Sequence, residues 1–306
     1  MNAEFDAGLK AITQSSARLT GEIGEYIFDA GGKRMRPQMV MRMAESLGLA
    51  AETVMPLAYT VELLHTASLL HDDVVDEAAV RRSRPTVNNV YGERPALLAG
   101  DYMFASGLDL ICKLGQPAIM LDLIETIKSM TEGELRELEQ ANQFHADLSI
   151  YTDIIYLKTG RLFEFCTWAP GVLAGLDEAK LTALRDYGRL IGLAFQIVDD
   201  IVDVTPGDAT DKDAFNDVVE GKSTMPLMCL FQVKPELMEQ MAGIVAADER
   251  RQLVRDNLTK DMLEGSRYQA QMFVNTANFV MEAQGLLTDE LRAIGDTIIA
   301  QLNGRF

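Results

Sequence analysis

The chain contains 306 residues, of which 48% are hydrophobic and 24% are charged, a composition that is typical of globular proteins and excludes a disordered or collagen-like chain. Its 46 aspartates and glutamates outnumber 28 lysines and arginines, which gives a formal net charge of −18. Nucleic acid and anionic lipid are not expected partners, because both attract basic surfaces. The three cysteines are scattered and form no CxxC pair, and the N-terminus does not resemble a secretion signal, which predicts a cytoplasmic protein. No apolar run is long enough for a bilayer, so no transmembrane segment is predicted.

Apolar residues follow a helical spacing through almost the whole chain, while strand signals are nearly missing. Long helices are predicted from about Pro56 to Glu77 and from about Glu178 to Val204, the second ended by Pro206-Gly207. Five prolines stand before helical patterns, as suits a first helical turn: Pro37, Pro56, Pro95, Pro117 and Pro235. The sequence therefore predicts an all-α fold of ten or more helices, with residues 1–306 in a single domain.

The first chemically distinctive segment is Gly31-Gly32-Lys33-Arg34-Met35-Arg36-Pro37, where three cations follow a glycine pair at a predicted helix start. Taken alone, a solvated loop explains it. The cations become informative only beside groups that require a shared anionic ligand.

The next segment, His71-Asp72-Asp73-Val74-Val75-Asp76, ends a predicted helix. Asp72 and Asp76 are four residues apart and share a helix face, where like charges repel. The preceding residues 63–70 are too apolar for a solvated face, so these carboxylates require cations. The alternative is a helix that emerges into solvent with three incidental aspartates. A second basic group, Arg81-Arg82-Ser83-Arg84, follows five residues later.

The DDxxD pattern returns 127 residues further on, at Asp199-Asp200-Ile201-Val202-Asp203, again after an apolar helical stretch. If the two helices face each other, they offer at least four convergent carboxylates, which suits Mg²⁺ bound through carboxylates, water and phosphate oxygens. Three histidines and no Cys/His cluster do not favour a closed zinc site. Cations near such carboxylates predict a bound polyanion. Weaker phosphate-binding candidates lie at 158–160 and 221–224.

In this order, the segments resemble the trans-isoprenyl diphosphate synthases, or polyprenyl synthetases. The resemblance lies in GGKRMRP at 31–37, LLHTASLLHDDVVDEAAVRRSRPT at 63–86, GDYMF at 100–104, KTG at 158–160, GLAFQIVDDIVD at 192–203 and EGKSTMPL at 220–227. Each segment is modest alone, but the ordered set is highly specific. The resemblance implies an all-α, single-domain isoprenoid-synthase helical bundle around a central cavity, and a homodimer.

The resemblance also implies roles for individual residues. The positions that match the family's Mg²⁺-binding motifs are Asp72, Asp73, Asp76, Asp199, Asp200 and Asp203. The positions that match the isopentenyl diphosphate pocket are Lys33, Arg36, His65 and Arg82. The positions that match groups holding the allylic diphosphate are Arg81, Lys158, Thr159, Gln196 and Lys222. The expected catalytic set is Asp72, Asp76, Lys158 and Asp199. Two positions depart from the family pattern, which has glycine where this chain has Ser83 and Asp211; the second departure leaves Lys212 without an assigned role.

The implied reaction is a Mg²⁺-dependent condensation of isopentenyl diphosphate with an allylic diphosphate, in which metal and cations stabilise the departing diphosphate inside an apolar pocket. Ala67 and Ser68 lie five and four residues before Asp72, where family members that stop at fifteen carbons commonly carry aromatic side chains. These small residues predict an open tunnel and a long trans-polyprenyl product (about C30–C50) for quinone side chains, although they equally allow close helix packing. A short-chain (geranyl, farnesyl or geranylgeranyl) diphosphate synthase is the alternative. Candidates for a deeper tunnel floor are Met103, Phe104 and Leu108.

Three rival functions are weaker. His71-Asp72 suggests an HD-type phosphohydrolase, but that class needs further spaced histidines and only His65 and His145 remain. A terpene cyclase needs no second diphosphate pocket, so the Lys33 and Arg36 group argues against it. A non-catalytic helical subunit would not require two intact acidic motifs.

Overall fold

The computed structural model describes residues 3–81, 84–205 and 214–306, so Arg82, Ser83, Pro206-Gly207, Asp211 and Lys212 lie outside the described residues. In chain order the helices are α1 (Ala3–Ile12), α2 (Arg18–Phe28), α3 (Met35–Ser46), α4 (Ala51–Val75), α5 (Val87–Tyr91), α6 (Glu93–Leu114), α7 (Pro117–Gln140), α8 (Leu148–Ile155), α9 (Arg161–Leu173), α10 (Glu178–Val204), α11 (Asn216–Glu220), α12 (Met225–Val233), α13 (Glu236–Gly243), α14 (Ala247–Asn257), α15 (Lys260–Ala283) and α16 (Asp289–Ala300). A π-helical turn, Tyr156–Gly160, joins α8 to α9. Strands β1 (Val80–Arg81) and β2 (Arg84–Pro85) form an antiparallel pair between α4 and α5, with Arg81 opposite Arg84. The all-α prediction is confirmed.

The predicted bounds hold better for α10 than for α4. Helix α10 spans the predicted residues, and its N-terminus is capped by Asp177, whose side chain accepts a hydrogen bond from the backbone N–H of Lys180 at 3.0 Å. Helix α4 begins at Ala51, so the predicted start at Pro56 is wrong and this proline lies inside the helix. Val54 and Leu57, on either side of it, are fully buried, and their burial offsets the hydrogen bond that proline cannot donate.

The other four prolines are placed as predicted. Pro37 and Pro95 lie in the first turns of α3 and α6, Pro117 begins α7, and Pro235 directly precedes α13. Proline fits these positions because a first-turn N–H has no partner within the helix.

The chain divides into two compact units. Unit 1 comprises Met1–Glu125 and Ala169–Leu176, and unit 2 comprises Thr126–Trp168 and Asp177–Phe306. The centre of unit 1 is α4, which packs against α3 and α6, and the centre of unit 2 is α10, which packs against α15, α12 and the π-helical turn. Both central helices are apolar over much of their circumference, as expected of core helices. The assignment of all 306 residues to one domain stays a prediction.

Two further sequence expectations concern helix composition and cysteines. Across the described ranges, no helix combines the length and apolar content that a bilayer span requires. All three cysteines fall within those ranges, and none forms a disulfide there.

Candidate active site

The first acidic motif lies in the last turn of α4, in unit 1. Asp72 and Asp76 are half-buried, and Asp76 is the C-cap, with its N–H donating to the carbonyl of Asp72 at 2.8 Å. Asp73 is buried, and its Oδ1 accepts a hydrogen bond from Nε of Arg81 at 2.6 Å. Burial raises the pKa of Asp73, and the neighbouring guanidinium partly opposes that rise. The middle aspartate of this motif therefore has a protein cation as its partner.

The residues that follow the strand pair β1–β2 are hydrogen-bonded to the end of α4 and to the segment before β1. The hydroxyl of Thr86 donates to the carbonyl of Ala78 at 2.6 Å, and the side-chain amide of Asn88 donates to the carbonyls of Asp73 and Ala78 at 3.0 and 3.1 Å. These bonds fix the chain direction after the motif. They place Arg81 beside Asp73.

His71, which precedes the motif, packs against α6. Its Nε2 lies 3.1 Å from the carbonyl oxygen of Leu97 and 3.5 Å from Oδ1 of Asp101. A Cβ added at Gly100 would lie 2.4 Å from the same nitrogen, so this contact requires glycine. His71 thus joins α4 to the GDYMF segment at 100–104.

Three residues predicted to bind isopentenyl diphosphate also lie in unit 1. Lys33 is exposed in the segment before α3, and its carbonyl accepts a hydrogen bond from the side-chain amide of Gln38 at 2.6 Å. Arg36 is buried in the first turn of α3. His65 is half-buried on α4, two turns before the acidic motif.

The two predicted chain-length residues differ in their surroundings. Ala67 is fully buried, and its carbonyl oxygen would lie 3.3 Å from a Cβ added at Gly100, so α4 and α6 are closely packed at this level. Ser68 is half-buried, and its hydroxyl donates to the carbonyl of His65 at 2.9 Å. Ala67 therefore lies at a close approach of α4 and α6, whereas Ser68 is partly exposed.

The second acidic motif lies inside α10, in unit 2. Asp199 is exposed, whereas Asp200 is buried. Oδ1 of Asp200 accepts from Nε2 of Gln196 at 3.0 Å, and its Oδ2 accepts from the hydroxyl of Tyr151 at 2.6 Å and from the N–H of Met225 at 3.3 Å. Burial raises the pKa of Asp200 to about 7, against the opposing effect of these hydrogen bonds.

Asp203 ends the second motif with one carboxylate oxygen bonded and one unsatisfied. Oδ1 accepts from the N–H of Asn216 at 3.0 Å, while Oδ2 is buried and has no hydrogen-bond partner among the described residues. Burial, followed by the charge of Asp217, raises the pKa of Asp203 to about 8. A buried carboxylate oxygen in this state favours a cation as its partner.

The KTG segment lies directly against α10. Thr159 donates to Oε1 of Gln196 at 2.8 Å, so Thr159, Gln196 and Asp200 form one hydrogen-bonded chain. A Cβ added at Gly192 would lie 2.7 Å from Cα of Gly160, so only glycine permits this approach. The segment is a π-helical turn, a form that is frequent at functional sites.

Lys158 and Lys222, both predicted to bind the allylic diphosphate, share one carboxylate. Nζ of Lys158 lies 2.6 Å from Oε2 of Glu137 and 2.7 Å from Oε2 of Glu134. Nζ of Lys222 lies 3.3 Å from the same oxygen of Glu137, and it lies 2.6 Å from Oε2 of Glu220. Burial alone would raise the pKa of Glu137, but the two ammonium groups outweigh it and hold that pKa below its ordinary value.

Sequence reasoning missed Glu134, Glu137 and Tyr151. The two glutamates belong to a glutamate-rich stretch of α7, and nothing in their spacing distinguishes them from solvated residues. Tyr151 reaches Asp200 across 49 residues of sequence, a contact that only the fold creates.

A Mg²⁺ ion fits the donors that are present. In the described ranges, no three His, Cys, Asp or Glu side chains come close enough together to enclose a metal. Mg²⁺ does not need such a cage, because it keeps several waters and binds through one or two carboxylates together with substrate phosphate. The buried, unsatisfied Oδ2 of Asp203 is a suitable hard ligand.

The comparisons with known proteins identify the family. The family model described as "Polyprenyl synthetase" matches residues 17–262. Octaprenyl diphosphate synthase of Haemophilus influenzae is 38% identical over 74% of this chain and 69% of its own length. A decaprenyl diphosphate synthase from Rhodobacter capsulatus superposes with a TM-score of 0.86 and 30% identity, covering 98% of this chain and 96% of that one. A polyprenyl synthase from Caulobacter crescentus, complexed with calcium and isoprenyl diphosphate, has a TM-score of 0.87 and 29% identity over 97% and 94% of the two chains. The chain therefore belongs to the polyprenyl synthetase family.

Proposed function

We propose that this protein is a Mg²⁺-dependent trans-prenyltransferase that condenses isopentenyl diphosphate with an allylic diphosphate and makes a long-chain polyprenyl diphosphate. The observation that carries the proposal is the hydrogen-bonded chain Thr159–Gln196–Asp200, which joins the KTG segment to the second acidic motif. Relatives named octaprenyl and decaprenyl diphosphate synthase support a long product, and the short-chain alternative has no support among the sequence relatives.

Each acidic motif would bind metal through its outer aspartates. Asp72, Asp76 and Asp199 are more exposed than Asp73 and Asp200, and Asp203 has one buried oxygen without a hydrogen-bond partner among the described residues. Bound Mg²⁺ neutralises diphosphate charge and so stabilises it as a leaving group. Asp73 and Asp200, which the sequence also predicts as ligands, are engaged by protein donors, and their role in this proposal is to hold each motif in place.

The protein cations bind and orient the two diphosphates. In this proposal Lys33, Arg36 and His65, with Arg82 by resemblance, hold isopentenyl diphosphate. Arg81, Lys158 and Lys222 hold the allylic diphosphate, supported by Thr159 and Gln196. Charge-assisted contacts of this kind stabilise the negative charge that develops as the carbon–oxygen bond breaks. The bond breaks to an allylic cation, the double bond of isopentenyl diphosphate attacks its first carbon, and the released diphosphate accepts the proton that is lost.

Chain length is assigned to α4. The growing prenyl chain would extend from the acidic motif toward the N-terminus of α4, past Ser68, where a small side chain leaves room. Met103, Phe104 and Leu108 on α6 are candidates for the end of this tunnel. The expected product has roughly six to ten isoprene units, as the names of the relatives suggest.

A homodimer in the cytoplasm completes the proposal. Helix α7 carries exposed apolar residues at Leu121, Ile124, Leu135 and Leu138, and their spacing places them on one face of the helix. Exposed apolar residues on one helix face are typical of a protein interface, and in this proposal the isologous partner is a second copy. Light scattering should give twice the chain mass of 33.8 kDa, and a monomeric mass would contradict the dimer.

Product analysis tests the catalytic proposal. The protein is incubated with Mg²⁺, isopentenyl diphosphate and farnesyl diphosphate, and products are separated by chromatography. We expect a polyprenyl diphosphate, and diphosphate release only when both substrates are present. Diphosphate release from the allylic substrate alone would indicate a cyclase, and absence of turnover would indicate a non-catalytic subunit.

A further inference from the structure

Arg34 stands between Lys33 and Arg36, two cations of the proposed isopentenyl diphosphate pocket, and the proposed function gives it no role. Its backbone is left-handed, with φ 47° and ψ 41°. A non-glycine residue is strained in this region, and glycine would avoid that strain. The chain does place glycine at a positive φ three residues earlier, at Gly31, so an arginine at position 34 needs another reason.

The side chain of Arg34 is held by one buried and one half-buried carboxylate. Nη1 lies 2.5 Å from Oε1 of Glu62, and Nε lies 3.0 Å from Oδ1 of Asp6. Arg34 is 8% exposed and Glu62 is 4% exposed. The guanidinium also lies 5.6 Å from the ring centroid of Phe28. Loss of Arg34 would leave the buried carboxylate of Glu62 without this cation, so the pair opposes movement of residue 34 out of its strained backbone conformation.

The pair connects two parts of the proposed pocket. Glu62 lies on α4 three residues before His65, so the two are one helical turn apart on the helix that also carries the first acidic motif. The other member of the pair, Arg34, lies directly before α3, and its backbone dihedrals set the direction in which the chain enters that helix. They therefore set where Lys33 stands relative to Arg36, which lies in the first turn of that helix.

Local hydrogen bonds add to this arrangement. The carbonyl of Arg34 accepts from the N–H of Gln38 at 3.0 Å, and the side chain of the same glutamine donates to the carbonyl of Lys33 at 2.6 Å. The strained residue and its neighbour are thus both fixed to the first turns of α3.

We propose that Arg34 is a positioning residue: its buried ion pair with Glu62 holds residue 34 left-handed and so aligns Lys33 and Arg36 with His65 for one diphosphate group. The inference rests on the proposed function for the identity of the ligand, isopentenyl diphosphate. An arginine suits this role because its planar fork can reach Glu62 and Asp6 together, which an ammonium group does less well.

Two variants separate positioning from stability. Arg34→Met leaves Glu62 buried and unpaired, and should lower the thermal midpoint by roughly 5–10 °C. Arg34→Met/Glu62→Gln removes both charges and should recover most of that loss. If Arg34 positions the cations, the KM for isopentenyl diphosphate stays raised roughly tenfold in both variants, while the KM for the allylic substrate changes little. The control is Arg18→Met, which removes an exposed pair with Glu22 and should change neither quantity.

Calorimetric titration of isopentenyl diphosphate, with Mg²⁺ and without an allylic substrate, gives a readout that does not depend on turnover. Weaker binding to the stable double variant than to the wild type supports positioning, even if the wild type shows no turnover and the proposed function fails. Binding to the double variant as tight as to the wild type overturns the inference. So does a KM that recovers together with the thermal midpoint, or a wild type that does not bind isopentenyl diphosphate.

Discussion

The two acidic motifs share the DDxxD pattern, yet their surroundings differ. In unit 1 the middle aspartate, Asp73, is paired with the cation Arg81 at 2.6 Å. In unit 2 the middle aspartate, Asp200, accepts hydrogen bonds from neutral groups, among them the amide of Gln196 and the hydroxyl of Tyr151. The same sequence pattern therefore produces an ion pair at one site and a neutral hydrogen-bond network at the other.

Both motifs lie at the C-terminal ends of their helices, and their last aspartates, Asp76 and Asp203, are both half-buried. They differ in detail: Asp76 is the C-cap of α4, whereas Asp203 lies one residue before the end of α10 and has one buried oxygen without a hydrogen-bond partner among the described residues. The shared DDxxD pattern thus predicts shared ligand chemistry, but it does not predict the hydrogen-bond and ion-pair partners of each carboxylate. The following variants test this comparison.

The largest effect is expected from the first aspartate of each motif. Asp72→Ala and Asp199→Ala should each lower kcat/KM by about a thousandfold or more, because loss of a metal ligand removes several kcal/mol of transition-state stabilisation. Steady-state kinetics at saturating Mg²⁺ provides the measurement. Asp109→Ala, which removes an exposed pair with Lys113 on α6, is the matched control and should remain active. Near-normal turnover of either motif variant would contradict the two-motif proposal.

A smaller effect is expected from the cations, and it should distinguish the substrates. Lys33→Ala and Arg36→Ala should raise the KM for isopentenyl diphosphate, and Arg81→Ala the KM for the allylic diphosphate, each by roughly tenfold to a hundredfold, because a charge-assisted phosphate contact is lost. Each substrate is varied in turn at saturation of the other. Equal changes in both KM values for all three variants would refute the assignment.

The helix before the first motif should control product length, and the corresponding part of α10 should not. Ser68 lies four residues before Asp72, whereas the matching position before Asp199 is Phe195, whose ring packs 5.2 Å from that of Phe163. Ser68→Phe should shorten the product while Mg²⁺-dependent turnover persists, because a ring blocks the path without touching the metal ligands. Chromatography of the products measures this change.

Two related variants complete this test. Ser68→Ala is the control and should keep the wild-type product length. Ala67→Phe should also shorten the product, but insertion of a ring at a fully buried site costs about 1–3 kcal/mol of stability. A wild-type product that stops at farnesyl diphosphate, or an unchanged product from Ser68→Phe, would reject the open tunnel.

The smallest effect is expected from the neutral support of Asp200. Tyr151→Phe removes a hydroxyl donor 2.6 Å from Oδ2 and should lower the free energy of unfolding by about 1–2 kcal/mol, as measured by denaturant titration. Tyr268→Phe, at a position 66% exposed on α15, should leave it unchanged. If Tyr151→Phe unfolds at the same denaturant concentration as the wild type, this hydrogen bond does not support the second motif.

The sequence predicts helix bounds well where apolar spacing and a helix-ending signal agree. For α10, the regular apolar spacing and the following Pro206-Gly207 predict the bounds Glu178 to Val204 that the structure shows. For α4, the proline rule gave the wrong start, because burial of Val54 and Leu57 outweighs the local preference against Pro56.

In the candidate site, residue type and order predict which side chains carry chemistry, among them Lys158 and Asp199, and these roles stay predictions. Their supports could not be predicted, because Glu137 meets Lys158 across 21 residues of sequence and only after folding. The positive φ of Arg34 was equally unpredictable, since arginine has no intrinsic preference for it.

The π-helical turn at Tyr156–Gly160 has a consequence for the angular phase of the helix around it. From Leu148 to Leu173 the chain is helical without a break, but a π turn holds one residue more than an α turn, and each α-helical residue advances by about 100°. The wider π turn takes up this residue, so the apolar residues of α9 remain buried while Thr159 meets Gln196. In a regular α-helix of the same sequence, every residue after the turn would be rotated by about 100° about the helix axis. The π turn therefore lets the KTG segment carry one extra residue without turning the apolar face of α9 away from the core.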